Sequence, residues 1–191
     1  MRRDRAGPHQ LTRVRPARWP RILVVLHWAT ASLALATAGY ALYLLSPPDW
    51  SQRYIDRYMV GIGWHRTGGA AVLLLALVWM AVRRRLPRPA PRGGPAARAA
   101  ARVVHGALAF LLIALPLSGY LADSLSGSDM RWLGGLPMPD LFGTAPGWSI
   151  RLSQLHKWAG FTLLGLAMVH VAGALRHRFG GGDPTLSGMM R

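Results

Sequence analysis

The chain has 191 residues, 51% of them hydrophobic, and a formal charge of +16 that comes from 23 Lys and Arg against seven aspartates and no glutamate. It contains no cysteine, which excludes disulfides, thiolate-held iron–sulfur clusters and thioether-linked prosthetic groups. In a soluble protein so much positive charge suits nucleic acid, but here the apolar runs and the placement of the arginines argue against that partner.

Residues 1–20 form a tail rich in arginine and proline that offers little to a packed core. The first apolar segment, 22–45, follows those arginines as a signal peptide would. It is too long for a usual signal core and carries His27 and Trp28, so it reads as an uncleaved helix ending at Ser46-Pro47-Pro48. Residues 49–59 mix charge with Trp50, Tyr54 and Tyr58 and are expected to lie along a membrane interface. The second apolar segment covers 60–82. The stretch 83–102, rich in proline, glycine, alanine and arginine, reads as a flexible link. The third segment, 103–122, holds Pro116, a candidate kink. Residues 124–154 form the longest connection, apolar enough around Gly134-Gly135-Leu136-Pro137 and Phe142-Gly143 to cap one mouth of a bundle. The fourth segment, 155–175, gives way to Gly180-Gly181-Gly182.

Each apolar segment is close to the roughly 20 residues that cross a bilayer as a helix. The expected fold is therefore all-α: an integral membrane four-helix bundle over 21–179, with a basic tail at 1–20 and a short tail at 180–191. Arg2, Arg3, Arg5, Arg13, Arg15, Arg18 and Arg21 precede the first segment, and Arg83, Arg84, Arg85, Arg88, Arg92, Arg98 and Arg102 lie between the second and third. In the other two connections aspartates balance the arginines. This alternation is the positive-inside pattern. It puts both termini and the second connection in the cytoplasm, makes the chain a multi-pass membrane protein in contact with lipid, and accounts for the charge without nucleic acid.

Seven histidines remain to be explained. His9 lies in the basic tail. The other six are in or beside apolar segments, where an ionisable side chain is costly and points to function. His156 and His170 are fourteen residues apart on one helix, which returns them to nearly the same face about 21 Å apart along the axis. Topology puts His27 level with His170 near the cytoplasm, and His65 level with His156 near the outer face. Four imidazoles at two levels are what two bis-histidine haems need. Such ligation leaves iron no open position, which suits electron transfer better than oxygen activation. Gly68, Gly69 and Gly160 are expected to let a flat macrocycle approach the backbone. His105 and His177 fall at the cytoplasmic level and are candidate donors to a quinone carbonyl.

The residues resemble the bacterial cytochrome b561 family and the related b-type subunits of nickel–iron hydrogenases and formate dehydrogenases. The carriers are Leu26-His27-Trp28, His65 with Gly69, Arg83 followed by Pro87, Pro89 and Pro91, and His105. Further on come Ala114-Leu115-Pro116-Leu117-Ser118-Gly119, Gly134-Gly135-Leu136-Pro137-Met138-Pro139, His156-Lys157-Trp158, His170, and Asp183, Thr185, Leu186, Met189 and Met190. The resemblance implies two b haems per chain, with His27, His65, His156 and His170 matching the family's iron ligands, and electron transfer between a periplasmic donor and the quinone pool. Some members resemble a superoxide oxidase that reduces ubiquinone. Two positions depart from the pattern, Trp79 and Gly188, where members often carry arginine; Arg83, Arg176 and Arg178 are charges able to substitute.

Three readings follow. The first is a stand-alone electron carrier, with superoxide:ubiquinone oxidoreductase activity as its enzymatic form. The second is the membrane anchor of a larger dehydrogenase or hydrogenase. The third is a histidine-based metal transporter, disfavoured because no carboxylate lies inside any apolar segment. Arg66, Arg131, Arg151 and Lys157 near the outer mouth are expected either to pair with haem propionates or to attract an anionic donor.

Overall fold

A computed structural model describes residues 19–45, 51–87, 89–90 and 93–180. His9, most of the N-terminal arginines, the Ser46-Pro47-Pro48 stop and the tail residues after Gly180 lie outside them, as does the side chain of His177. Four helices make up the described chain: α1 (Arg21–Leu44), α2 (Gln52–Arg85), α3 (Pro95–Ser124) and α4 (Pro146–Gly180). All four are long and apolar enough to cross a membrane. The shortest, at 24 residues, spans about 36 Å, more than the roughly 30 Å of a hydrocarbon core.

Three helices extend beyond their apolar segments, each for a local reason. Residues 52–59 were expected along the interface; they form the first turns of α2 instead. Ser51 caps that helix by accepting a 3.1 Å hydrogen bond from the Tyr54 N–H. The link expected at 83–102 shrinks at both ends. Arg83, Arg84 and Arg85 form the last turn of α2, where positive charge meets the negative end of the helix dipole. Pro95 begins α3 with its ring preset for a first helical position, and the alanines that follow are the best helix formers. The long connection expected to reach residue 154 ends at 145, because α4 starts at Pro146. Helix α3 runs through Pro116 without a break.

The helices alternate in direction. α1 packs on α2, α2 on α3, and α3 most extensively on α4, whereas α1 and α4 scarcely touch. The bundle is thus two hairpins facing each other. Few side chains are buried, and large apolar ones such as Val103, Phe110, Leu74 and Met168 face outward, as lipid-facing residues do. Four buried residues define the middle: Ala34, Val72, Leu111 and Leu163. Ala34 follows His27 by seven positions, Val72 follows His65 by seven, and Leu163 stands seven from both His156 and His170. Seven residues are about two helical turns, so each helix places an aliphatic side chain at the same depth. Leu111 and Leu163 pack in one cluster with Leu115.

The end of the bundle that carries residues 125–145 is called outer here, following the arginine pattern. That loop folds back on itself. Trp132 N–H donates to Leu136 O at 2.8 Å and Met138 N–H to Met130 O at 2.9 Å. Gly134 and Gly135 make the turn with φ of 85° and 82°, a left-handed pair that side chains resist. The loop is pinned to α2 by Leu133 N–H donating to Thr67 Oγ1 at 2.9 Å. It is pinned to α3 by Ser124 donating to Asp140 and by Tyr120 donating to Pro139 O at 2.8 Å.

Candidate functional site

Five of the six membrane histidines fall into two groups, one on each side of the aliphatic layer. At the outer level His65 of α2 faces His156 of α4, ring centroids 5.9 Å apart and planes at 88°. At the inner level His27 of α1 faces His170 of α4 at 6.2 Å and 66°, and His105 of α3 lies 5.0 Å from His170. The backbone of residue 177 is in the last turns of α4 at that same end.

Two imidazoles that bind one iron from opposite sides, each with a metal–nitrogen distance of about 2.0 Å, hold their ring centroids roughly 6.3 Å apart. The His65–His156 and His27–His170 separations match that spacing, and the His105–His170 separation is too short for it. Among the described residues no three histidines or aspartates converge on a point that a bare metal ion would occupy, so the inner trio is not a three-ligand ion site.

Hydrogen bonds fix which nitrogen of each outer ring is available. His65 Nδ1 lies 3.3 Å from Thr37 O, and His156 Nδ1 lies 3.0 Å from Leu115 O. A carbonyl oxygen accepts and never donates, so each Nδ1 carries the proton and each Nε2 keeps its lone pair. A histidine that binds metal through Nε2 needs this tautomer. The inner rings have no such carbonyl partner among the described residues.

A cavity of about 790 Å³ opens between the two hairpins at the outer level, lined by His65, His156, Gly69 and Gly160 and capped by Trp132 and Pro139 of the loop. Its volume lies within the roughly 300–1,000 Å³ of small-molecule and cofactor sites, and its wall is dominated by Ala, Leu and Gly. The glycines divide by role. A methyl group on Gly69 or Gly160 would meet no atom within 4 Å, and both line the cavity. Gly68 does not: a Cβ there would lie 2.6 Å from Thr37 Oγ1. Its role is the close approach of α2 to α1, because its bare face is turned toward the neighbouring helix.

The outer charges are less free than their sequence positions suggest. Arg66 makes a two-point ion pair with Asp123 of α3, Nε to Oδ2 at 2.7 Å and Nη2 to Oδ1 at 3.2 Å. Arg131 pairs with Asp129 at 2.7 Å. Arg151 stacks over Trp148 and Lys157 lies over Trp158. Lys157 and Arg66 both line the cavity. At the inner end Arg83 stacks on Trp79 at 4.7 Å, close enough to His105 for their charges to interact.

Two features escaped sequence reasoning. One is the Arg66–Asp123 pair, whose members are 57 residues apart. The other is the contact of Ser118 and Gly119 with His156: both residues stand in the run 114–119 quoted above, but that run does not show their meeting with α4.

Comparison with known proteins agrees with this architecture. The family model described as prokaryotic cytochrome b561 matches residues 18–191. A curated relative from Escherichia coli (strain K12), named cytochrome b561 homolog 2, is 27% identical over 178 residues, covering 92% of each chain. A match over nearly the whole length, on a four-helix membrane bundle with paired histidines, places this chain in the prokaryotic cytochrome b561 family.

Proposed function

We propose that His65 with His156, and His27 with His170, would hold two b haems. On this reading the protein carries electrons across the bacterial inner membrane from a periplasmic donor to the quinone pool, with both termini in the cytoplasm. The observation that carries the proposal is the pair of matched histidine separations, 5.9 and 6.2 Å, on opposite sides of one buried aliphatic layer. Membership of the family supports b-type haem and transmembrane electron transfer.

Haem, when bound, supplies one-electron chemistry at an iron with no open position; the chain supplies the rest. Thr37 O and Leu115 O hold the outer imidazoles in the ligating tautomer. Ala34, Val72, Leu111 and Leu163 separate the two levels with a layer that holds no ionisable group, so electrons can tunnel through it while protons find no carrier. The outer loop lays Trp132, Met138 and Pro139 against the cavity that holds the outer pair. Lys157 lines the cavity and, like Arg151 nearby on α4, lies over a tryptophan rather than beside a carboxylate, which supports an anionic donor such as superoxide. At the inner end His105 on α3 and His177 are the candidate residues for a ubiquinone site.

A second reading, the membrane subunit of a larger dehydrogenase or hydrogenase, is favoured by the exposure of Leu136, Leu141 and Phe142 on the outer loop. The test is to generate superoxide enzymatically around the purified haem-loaded protein and to follow ubiquinol formation. Ubiquinol that disappears in His156→Ala and His27→Ala supports the stand-alone carrier. No ubiquinol, with a redox partner retained through purification from native membranes, overturns it in favour of the subunit.

A further inference from the structure

The run 115–119 of α3 surrounds one nitrogen of one histidine. Ser118 Oγ lies 2.9 Å from Leu115 O and 3.1 Å from His156 Nδ1, and His156 Nδ1 lies 3.0 Å from the same Leu115 O. The three atoms form a closed triangle, and its protons can be assigned. Leu115 O can only accept. The serine hydroxyl has one hydrogen, and in the helix it is given to that carbonyl three residues back, a common serine habit. Its lone pairs therefore face His156 Nδ1, whose hydrogen is shared between two oxygens. In the opposite tautomer the hydroxyl could turn and donate to Nδ1, but Leu115 O, which only accepts, would then face a nitrogen lone pair at 3.0 Å and lose the serine's hydrogen as well. Gly119 completes the seat: a Cβ there would stand 2.9 Å from His156 Cε1 and 3.2 Å from Nδ1, inside the contact distance of real side chains. Among the described residues His65 has no equivalent, only one carbonyl at 3.3 Å and no hydroxyl.

We propose that Ser118 is a positioning residue for His156: its hydroxyl and the bare face of Gly119 lock that imidazole in one tautomer and one ring orientation, making it the anchored ligand of the outer pair and His65 the looser one. This rests on the assignment of His156 as an iron ligand. Outer-shell partners of this kind are worth about 10- to 100-fold in metal affinity. The ring orientation has a spectroscopic consequence. Two imidazole planes near 90° on a low-spin ferric iron give a strongly anisotropic electron paramagnetic resonance signal, which moves toward an ordinary rhombic one as the planes rotate toward each other.

The experiment uses full-length protein purified with its haem, as wild type, Ser118→Ala, Ser118→Thr, Gly119→Ala and His156→Ala. Two quantities are read: the rate at which each haem transfers to excess apomyoglobin, and the low-spin ferric spectrum. Ser118→Ala is expected to release the outer haem about 10-fold faster and to shift its signal toward the rhombic type, leaving the inner haem unchanged. Ser118→Thr, which keeps the hydroxyl, restores both. Gly119→Ala loses the outer haem and keeps the inner one. Ser118→Ala with wild-type rates and spectrum overturns the proposal, and so does a variant that alters both haems equally, which marks a general packing role. If instead His156→Ala keeps the outer haem, the ligand assignment itself has failed.

Discussion

Asp123→Asn removes one member of the ion pair that joins α2 to α3 beside the outer histidines. The geometry sets the size of the effect. The contact is two-point, with Nε–Oδ2 at 2.7 Å and Nη2–Oδ1 at 3.2 Å, and the side chains are 11% exposed for Arg66 and 29% for Asp123. A fully exposed pair is worth about 0–1 kcal/mol, and removing one partner of a fully buried pair costs about 3–5 kcal/mol because the other charge is left unpaired. This pair lies between those limits, since solvent reaches the carboxylate more than the guanidinium. The expected cost of Asp123→Asn is about 2 kcal/mol, or a fall in Tm of roughly 4–8 °C for a chain of this size. Arg66→Gln should cost a similar amount. The double variant should cost less than the sum, because neither charge is then stranded. The assay is a double-mutant cycle on detergent-solubilised protein, with unfolding followed by helical circular dichroism. A coupling energy near 1.5 kcal/mol is expected. A coupling below about 0.5 kcal/mol would refute the view that this pair holds the hairpins together.

Gly68→Ala must drive Thr37 away from α2, since its methyl would lie 2.6 Å from Thr37 Oγ1. A loss of about 1–3 kcal/mol is expected, with less outer haem because Thr37 O also holds His65. Gly160→Ala meets no neighbour; it should leave Tm unchanged and lower only haem content, so equal behaviour of the two variants contradicts their assigned roles. His105→Ala should retain the inner haem, because its 5.0 Å approach to His170 is too close for a shared iron; the difference spectrum of the purified variant decides. On the outer loop, the Ser124 hydroxyl and then the Phe142 N–H hold the Asp140 carboxyl below its ordinary value of 3.8. A lowered folded-state value means the stabilisation is present above 3.8 and is lost as pH falls through the lowered value. Pepsin should therefore cut the loop progressively faster as the medium is acidified below that point, and Asp140→Asn should remove the dependence.

The membrane-spanning cores of the helices were legible because burial in lipid and burial in a bundle both select apolar residues. Their ends were not. Residues 52–59, 95–102 and 146–154 carry charges or small residues, and they are helical through a Ser51 cap, Pro95 at a first position and Pro146, local signals weaker than a change in hydropathy. The histidine pairing was legible, since helix periodicity and alternating direction fix depth before any tertiary contact is known. Gly69 and Gly160 border the cavity whereas Gly68 meets α1, a difference hidden in the sequence because adjacent residues on a helix point about 100° apart and sequence does not say which of them meets the neighbouring helix. Ser118, Gly119 and the Arg66–Asp123 pair depend on contacts between helices distant in sequence. For Ser118 and Gly119 the available signal was a serine–glycine step two residues after a helical proline.

The most direct test of the account is the number of b haems per chain, measured by pyridine haemochrome and protein quantitation on the purified wild type, His156→Ala and His27→Ala. Two haems in the wild type and one in each variant, the outer lost in His156→Ala and the inner in His27→Ala, are the expected result. A single haem in the wild type, or full haem content in either variant, would contradict the two-level ligation on which the account rests.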